Sequence, residues 1–244
     1  RGFDGRATLN SSIREHLASE ALNGLGVPTT RSLAVIGIRE LIYRQRPELA
    51  AILVRVADSH IRFGSFEFFH YNGQGKNVER LLEFSIQSYY PDIVEESDKY
   101  RIFFQRTVQR TAKLIAKWQA VGFIHGVMNT DNMCITGTTF DYGPYGFMDR
   151  FVPKYTSNHS DTHGRYAYSQ QPEIGFWNLN KLAETLTPLI GAEILEEEMK
   201  QYQPTFNQFY REEMSKKLGL SILDSEFSQL VQEMFQLLHN QQLD

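Results

Sequence analysis

The chain has 244 residues and a mass of 28.2 kDa, which is enough for one large domain or two small lobes. Hydrophobic residues make up 41% and charged residues 22% of it, as in ordinary globular proteins, which argues against a disordered or fibrous chain. The net charge of -4 and the lack of a strongly basic block argue against a nucleic-acid partner. No apolar run approaches the roughly 20 residues that span a bilayer, so we expect no integral membrane protein and no membrane partner.

The first 70 residues are predicted to form a small antiparallel sheet with one helix packed on it. The helix is expected over residues 8–24, with apolar residues at every fourth position: Leu9, Ile13, Leu17 and Ala21. Ser12 and Glu15 have the Ser-x-x-Glu spacing of a capping box. Runs rich in Val, Ile and Phe predict three strands, Ser32–Ile38, Ala51–Ala57 and Ile61–Phe69.

After a polar loop over His70–Asn77, the pattern becomes helical. The predicted helices are Leu81–Tyr89, Ser97–Val121, 176–190, 192–217 and 225–240. Between them, Phe123–Phe147 is predicted to hold a tight loop and a hairpin of two short strands, Met133–Thr136 and Thr138–Phe140. Pro153–Pro172 is a long polar loop. We therefore predict an α+β chain with a small β-rich lobe over 1–78 and a larger helical lobe over 79–244.

A motif of catalytic type lies in the predicted loop. The stretch from His125 to Asn132 (HGVMNTDN), followed by Asp-Tyr-Gly from Asp141, compares with the protein-kinase patterns His-Arg-Asp-x-x-x-x-Asn and Asp-Phe-Gly. Val127 stands where a kinase has its catalytic aspartate. Because valine cannot accept a proton, kinase chemistry through that position is excluded.

Asp131 offers a carboxylate in place of the missing one, directly before Asn132. Together with Asp141, these residues supply the oxygen ligands that a hard cation needs and a carboxylate that can deprotonate a hydroxyl. On spacing alone, turn formation explains Asn, Asp and Gly in such a segment equally well.

Three longer stretches resemble one known family. They are DGRATLNSSIREHLASEALNGLGVPTTRSL, HGVMNTDNMCITGTTFDYGPYGFMDRF and GRYAYSQQPEIGFWNLNKLAE, and they resemble the selenoprotein O (YdiU) family across essentially the whole chain. The resemblance implies a protein-kinase-like fold and a protein adenylyltransferase, which transfers AMP from ATP to protein hydroxyls. It also implies that ATP binds in the reverse of the kinase orientation.

The resemblance assigns roles to the residues of the catalytic motif. It places Asp131 at the general-base position, and it places Asn132 and Asp141 at the positions that bind Mg²⁺ or Mn²⁺, with Asp141 also at the ATP site. His125 is expected to support the loop rather than to take part in the chemistry.

In the first lobe, the resemblance implies a nucleotide site. Asp4 and Gly5 match nucleotide-contacting positions, and Arg55 and Arg62 match an arginine pair that holds the terminal phosphate. From the residues alone, a surface ion pair is the more common role of such arginines, although a guanidinium fork also suits phosphate oxygens. Glu15 matches a glutamate that pairs with a phosphate-binding lysine.

Two elements of the family pattern are missing. No lysine precedes Lys76, and the chain has no glycine-rich phosphate loop. Both lie before Asp4 in the family, and the chain has no initiator methionine, so we expect a fragment of a longer protein.

Two other functions stay open at this point. A small-molecule phosphotransferase shares the His-Gly start of the loop, but it needs an aspartate at the position of Val127. A non-catalytic pseudokinase would account for the missing lysine. The expected partners are ATP and proteins that present Ser, Thr or Tyr, and we expect a monomer. The short loops and the single cysteine favour the bacterial cytoplasm, and a eukaryotic protein would be mitochondrial.

Overall fold

The computed structural model of the chain describes residues 5–44, 46–220, 225–241 and 243. Its first part is a three-stranded antiparallel sheet with one helix: β1 Ala7–Thr8, α1 Leu9–Gly24, β2 Arg31–Tyr43 and β3 Pro47–Val56. The strand order is β1-β3-β2, with Ile36 opposite Ile52. The rest of the chain is mainly helical, so the predicted α+β class is confirmed. The division into lobes at residue 78 stays a prediction.

The described residues of the helical part form seven further α-helices and one short strand pair. The helices are α2 Phe63–Tyr71, α3 Gly75–Tyr89, α4 Lys99–Ala120, α5 Gln171–Ile190, α6 Ala192–Met199, α7 Tyr202–Leu218 and α8 Ser225–Gln241, and the strands are β4 Phe123–Ile124 and β5 Gly146–Phe147. No helix within the described ranges is long and apolar enough to cross a bilayer.

The long helix α4 runs through the core. The apolar stripe predicted on it is buried throughout: Phe104, Val108, Ala112, Ile115 and Trp118. These side chains pack with residues of α3, α5 and α7, and that burial, rather than helix propensity, stabilises a helix of this length.

The start of α1 differs from the prediction. Thr8 is the N-cap residue, and its Oγ1 accepts a hydrogen bond from the backbone N–H of Ser11 at 3.3 Å. The predicted Ser12-Glu15 capping box is therefore wrong. Ser12 is buried inside the helix. The carboxylate of Glu15 contacts Arg55 instead of capping the helix.

Strand β2 forms an edge of the described sheet. It is longer than predicted and pairs only with β3 among the described strands. Several of its apolar side chains remain exposed to solvent, namely Leu33, Ile36, Ile38, Leu41 and Tyr43. The face toward α1 is covered: a Cβ on Gly37 would touch the side chain of Leu9.

The strand predicted over Ile61–Phe69 is wrong, because this segment forms helix α2. Phe63 and Phe66, three residues apart, are both fully buried, as the helical period requires for one buried face. At the start of the helix, Oγ of Ser65 accepts a hydrogen bond from the backbone N–H of Arg62 at 3.3 Å. The helix packs against α3 and α5.

The hairpin predicted over residues 133–140 is also wrong. Cys134 instead forms an isolated bridge with Arg62, and Thr139 forms one with Thr29, so both segments pair with the first part of the chain. The predicted helix over 192–217 is two helices, α6 and α7, and α3 begins at Gly75, inside the predicted loop. Residues 153–167 have no helix or strand, but the predicted loop Pro153–Pro172 is too long, because a 3₁₀ turn over Tyr168–Gln170 leads into α5 at Gln171.

Candidate active site

Four charged side chains from four segments meet beside the sheet. Nη1 of Arg55, on β3, donates to Oδ1 of Asp141 at 2.8 Å, and its Nη2 contacts Oε2 of Glu15 on α1. Nη2 of Arg62 lies 3.2 Å from Oδ2 of Asp141. Two arginines and two carboxylates give this cluster no net charge. A bound triphosphate would therefore bring an excess of negative charge that divalent cations can offset.

The ring of Phe140 contacts both guanidinium groups. Cζ of Arg55 lies 4.8 Å and Cζ of Arg62 4.2 Å from the centre of the Phe140 ring, within the range of a cation–π interaction. Both arginines are thus fixed on one ring directly before Asp141 in the chain.

Asp141 is the one non-glycine residue with a positive φ among the described residues. Its φ is +57°, in the left-handed region, which usually costs a non-glycine residue about 1 kcal/mol or more. The next residue holds it there: the Tyr142 hydroxyl donates to the carbonyl of Thr139 at 3.1 Å and contacts the hydroxyls of Thr29 and Thr30. The two arginines fix its carboxylate.

Glu15 pairs with an arginine in this structure, whereas the resemblance implied a lysine partner. Its side chain is 19% exposed, and burial raises the pKa of its carboxyl group, while the charge of Arg55 opposes that rise. Arg55 is thereby shared between Glu15 and Asp141.

His125 lies in the core under the loop that carries the candidate catalytic residues. It is fully buried, and its Nε2–H donates to the carbonyl oxygen of Phe140 at 2.9 Å, next to Asp141. Burial lowers the pKa of its imidazole below 6.5, so the ring is neutral at pH 7. This contact joins the His-Gly loop to the Asp-Tyr-Gly segment.

The buried imidazole predicts a pH dependence of stability. Because the pKa is lower in the folded state, the unfolded chain binds a proton first as the pH falls below 6.5. As the pH falls below 6.5, we expect the protonation of His125 in the unfolded chain to lower the free energy of unfolding by up to about 1.4 kcal/mol per pH unit. Urea unfolding of the protein and of His125→Gln at pH 7.5, 6.5 and 5.5 measures it. A constant difference between the two across this range contradicts the prediction.

Three amide side chains outside the predicted site support the same loop. Asn178 donates to the carbonyl of Met128 at 2.9 Å, Gln171 to that of Phe123 at 2.9 Å, and Asn158 to that of Gly126 at 3.0 Å. Sequence reasoning missed all three. A signal existed for two of them, since Gln171 and Asn178 lie seven residues apart, on the buried face of α5.

Asp131 and Asn132 lie in a 3₁₀ turn over Thr130–Asn132. Nδ2 of Asn132 donates to the carbonyl of Val127 at 2.8 Å, which turns its Oδ1 away from that carbonyl. Asp131 is exposed to solvent, and its side chain lies against Gly64 in the first turn of α2, the residue two positions after Arg62. The site therefore brings both candidate carboxylates, Asp131 and Asp141, next to one helix start.

The donors available suit Mg²⁺ or Mn²⁺. The carboxylate of Asp141 and the amide oxygen of Asn132 are hard oxygen ligands of the kind that these cations prefer. No group of three or more His, Cys, Asp and Glu side chains in the described part of the chain is arranged to hold a metal ion.

Of the remaining predicted nucleotide contacts, Asp4 lies outside the described residues. Gly5 is exposed, with a φ of +66°, and lies two residues before β1. In the structure it is part of the segment that leads into the sheet edge.

The whole chain, residues 1–244, matches the sequence profile of the family described as protein adenylyltransferase SelO. The chain belongs to this family. It is similar to proteins named protein nucleotidyltransferase YdiU, with 50% identity to the one from Myxococcus xanthus over 96% of this chain and 48% of that protein. The identity is 49% for the protein from Klebsiella pneumoniae strain 342, over 94% of this chain and 50% of that protein. The chain spans about half the length of the curated relatives it matches.

Membership in the SelO family agrees with the fold. The family has a protein-kinase-like fold, and this chain has the small antiparallel sheet, the helix beside it and the larger helical part that such a fold requires. The predicted family is therefore confirmed.

Proposed function

We propose that this SelO-family chain carries the catalytic site of a protein adenylyltransferase, which transfers AMP from ATP to Ser, Thr or Tyr hydroxyls. The observation that supports it best is the convergence of Arg55 and Arg62 on Asp141 beside a loop in which Val127 replaces the kinase base. In the proposed mode, ATP binds in the reverse of the kinase orientation, with its pyrophosphate end at the arginines. The partners would be ATP and protein substrates, in the bacterial cytoplasm.

The proposed reaction is an in-line displacement at the α-phosphorus. Asp131 accepts the proton of the attacking hydroxyl as the new bond between oxygen and α-phosphorus forms. The bond from the α-phosphorus to the oxygen that bridges it to the β-phosphorus breaks, and pyrophosphate leaves with the electron pair. When bound at Asn132 and Asp141, Mg²⁺ or Mn²⁺ would neutralise phosphate charge.

The arginines fit the leaving pyrophosphate. A guanidinium offers parallel N–H donors that match phosphate oxygens, and it keeps its charge at any working pH. Arg55 is only 15% exposed, so its charge is weakly screened by water. Phosphate oxygens would take the place that the carboxylate oxygens of Asp141 occupy here, which frees Asp141 for the cation.

Labelled ATP tests the proposal directly. The whole protein is incubated with a mixture of candidate protein substrates and with either α-³²P-ATP or γ-³²P-ATP, in Mg²⁺ and in Mn²⁺. We expect label on protein from the α position only. Transfer from the γ position would indicate a kinase, and label from neither position would favour a non-catalytic pseudokinase.

A further inference from the structure

The first turn of helix α2 passes unusually close to Asp131. A Cβ atom built on Gly64 would overlap Oδ1 of Asp131 and would lie 3.1 Å from its Cγ and 3.4 Å from its backbone nitrogen. The carboxylate therefore occupies the space into which any side chain at position 64 would project. This contact joins residues 67 positions apart in the sequence.

The two segments cannot move apart easily, because backbone hydrogen bonds join them beside the contact. The N–H of Phe63 donates to the carbonyl of Met133 at 2.9 Å, and the N–H of Ile135 donates to the carbonyl of Ile61 at 3.2 Å. Phe63 is also fully buried. A side chain at position 64 would therefore displace the carboxylate of Asp131 rather than the helix.

Glycine at this position is not explained by the backbone conformation. Gly64 is the second residue of α2, and its φ lies outside the left-handed region. In a helix, alanine is more favourable than glycine by up to about 1 kcal/mol. Close approach to another group is the remaining physical reason for a glycine here.

We propose that Gly64 is a positioning residue for the Asp131 carboxylate. Because Gly64 has no side chain, the carboxylate of Asp131 lies directly against its backbone. Arg62, two residues before Gly64, contacts Asp141, so Asp131 has a fixed position relative to that pair. The first turn of α2 thus fixes the position of Asp131, the proposed base, relative to Asp141, the proposed metal ligand. The inference rests on the proposed function, in which Asp131 is the general base.

The test is Gly64→Ala in the whole protein, assayed for transfer from α-³²P-ATP. We expect kcat to fall about 10-fold to 100-fold, as for a catalytic group displaced by about 1 Å, with the KM for ATP within about 2-fold of its original value. The melting temperature should not fall. The double variant with Asp131→Asn should be no slower than Asp131→Asn alone, since both changes act through one carboxylate.

Gly75→Ala is the matched control. Gly75 is the first residue of α3, it also lies outside the left-handed region, and a Cβ there would meet nothing within 4 Å. We expect its kcat to equal that of the unsubstituted protein, with equal or higher stability.

The outcomes separate the two hypotheses. If Asp131→Asn is inactive while Gly64→Ala keeps its full kcat, the positioning role is overturned and the proposed function stands. Loss of the fold in Gly64→Ala also overturns it, because alanine should be tolerated by the helix. If the unsubstituted protein transfers no AMP, the proposed function is wrong. If Asp131→Asn is fully active, Asp131 is not the base. In both cases the positioning role of Gly64 is overturned as well.

Discussion

Replacing Asp131 by asparagine is expected to slow AMP transfer by about 10²-fold to 10⁴-fold, the usual contribution of a general base. Asparagine has nearly the same shape as aspartate, but it cannot accept the proton of the attacking hydroxyl. Because Asp131 is exposed in a short turn, the melting temperature should change little. Initial rates with α-³²P-ATP, at ATP concentrations above and below KM, measure the effect on kcat and on ATP binding separately.

A control for charge is Glu196→Gln. Glu196 is exposed on helix α6, so its replacement removes one negative charge from the surface without touching the site. We expect this variant to retain the full rate. Equal rates for Asp131→Asn and the unsubstituted protein would mean that another group accepts the proton, and the assignment of Asp131 as the base would then be wrong.

Replacing Arg55 by glutamine is expected to have the largest effect on stability. It would leave the partly buried carboxylates of Glu15 and Asp141 without their shared guanidinium. Removal of one partner of a buried ion pair costs about 3–5 kcal/mol, and the 35% exposure of the Asp141 side chain moves the expectation to the lower end. Urea unfolding measures this loss, and the KM for ATP should rise as well.

A second substitution separates stability from function. In the double variant Glu15→Gln with Arg55→Gln, a neutral amide replaces the more buried of the two carboxylates that Arg55 contacts. We therefore expect most of the lost unfolding free energy to return while AMP transfer stays impaired. Arg31→Gln is the matched control, since Arg31 pairs with Glu20 on the exposed surface and should cost less than about 1 kcal/mol. An equal cost for Arg55→Gln and Arg31→Gln would contradict the assigned role of the cluster.

The sequence predicted the helical part of the fold better than the segments that depend on tertiary contacts. The period of the apolar residues in α4 suffices to predict its helix, because a 22-residue amphipathic pattern has one interpretation. The segment Ile61–Phe69 is rich in phenylalanine, which favours strands, but strand propensity mainly reflects packing against neighbours. Here, burial of Phe63 and Phe66 against other helices determines the structure.

The candidate site was predicted in part. The motif contains Asp141 and the resemblance pointed to Arg55 and Arg62, and the structure brings these three side chains into contact. The partner of Glu15 was not predictable, since an arginine 40 residues away can reach it only once β3 and α1 are packed. The close approach of Gly64 to Asp131 likewise depends on two distant segments that no local pattern connects.

The edge position of β2 has a practical consequence for handling the chain by itself. Among the described strands β2 pairs on one side only, so its other side presents backbone donors and acceptors, and side chains such as Leu33 and Ile36 add an exposed apolar surface next to them. Copies at high concentration can then dock strand to strand and precipitate. Purification at low concentration follows from this geometry.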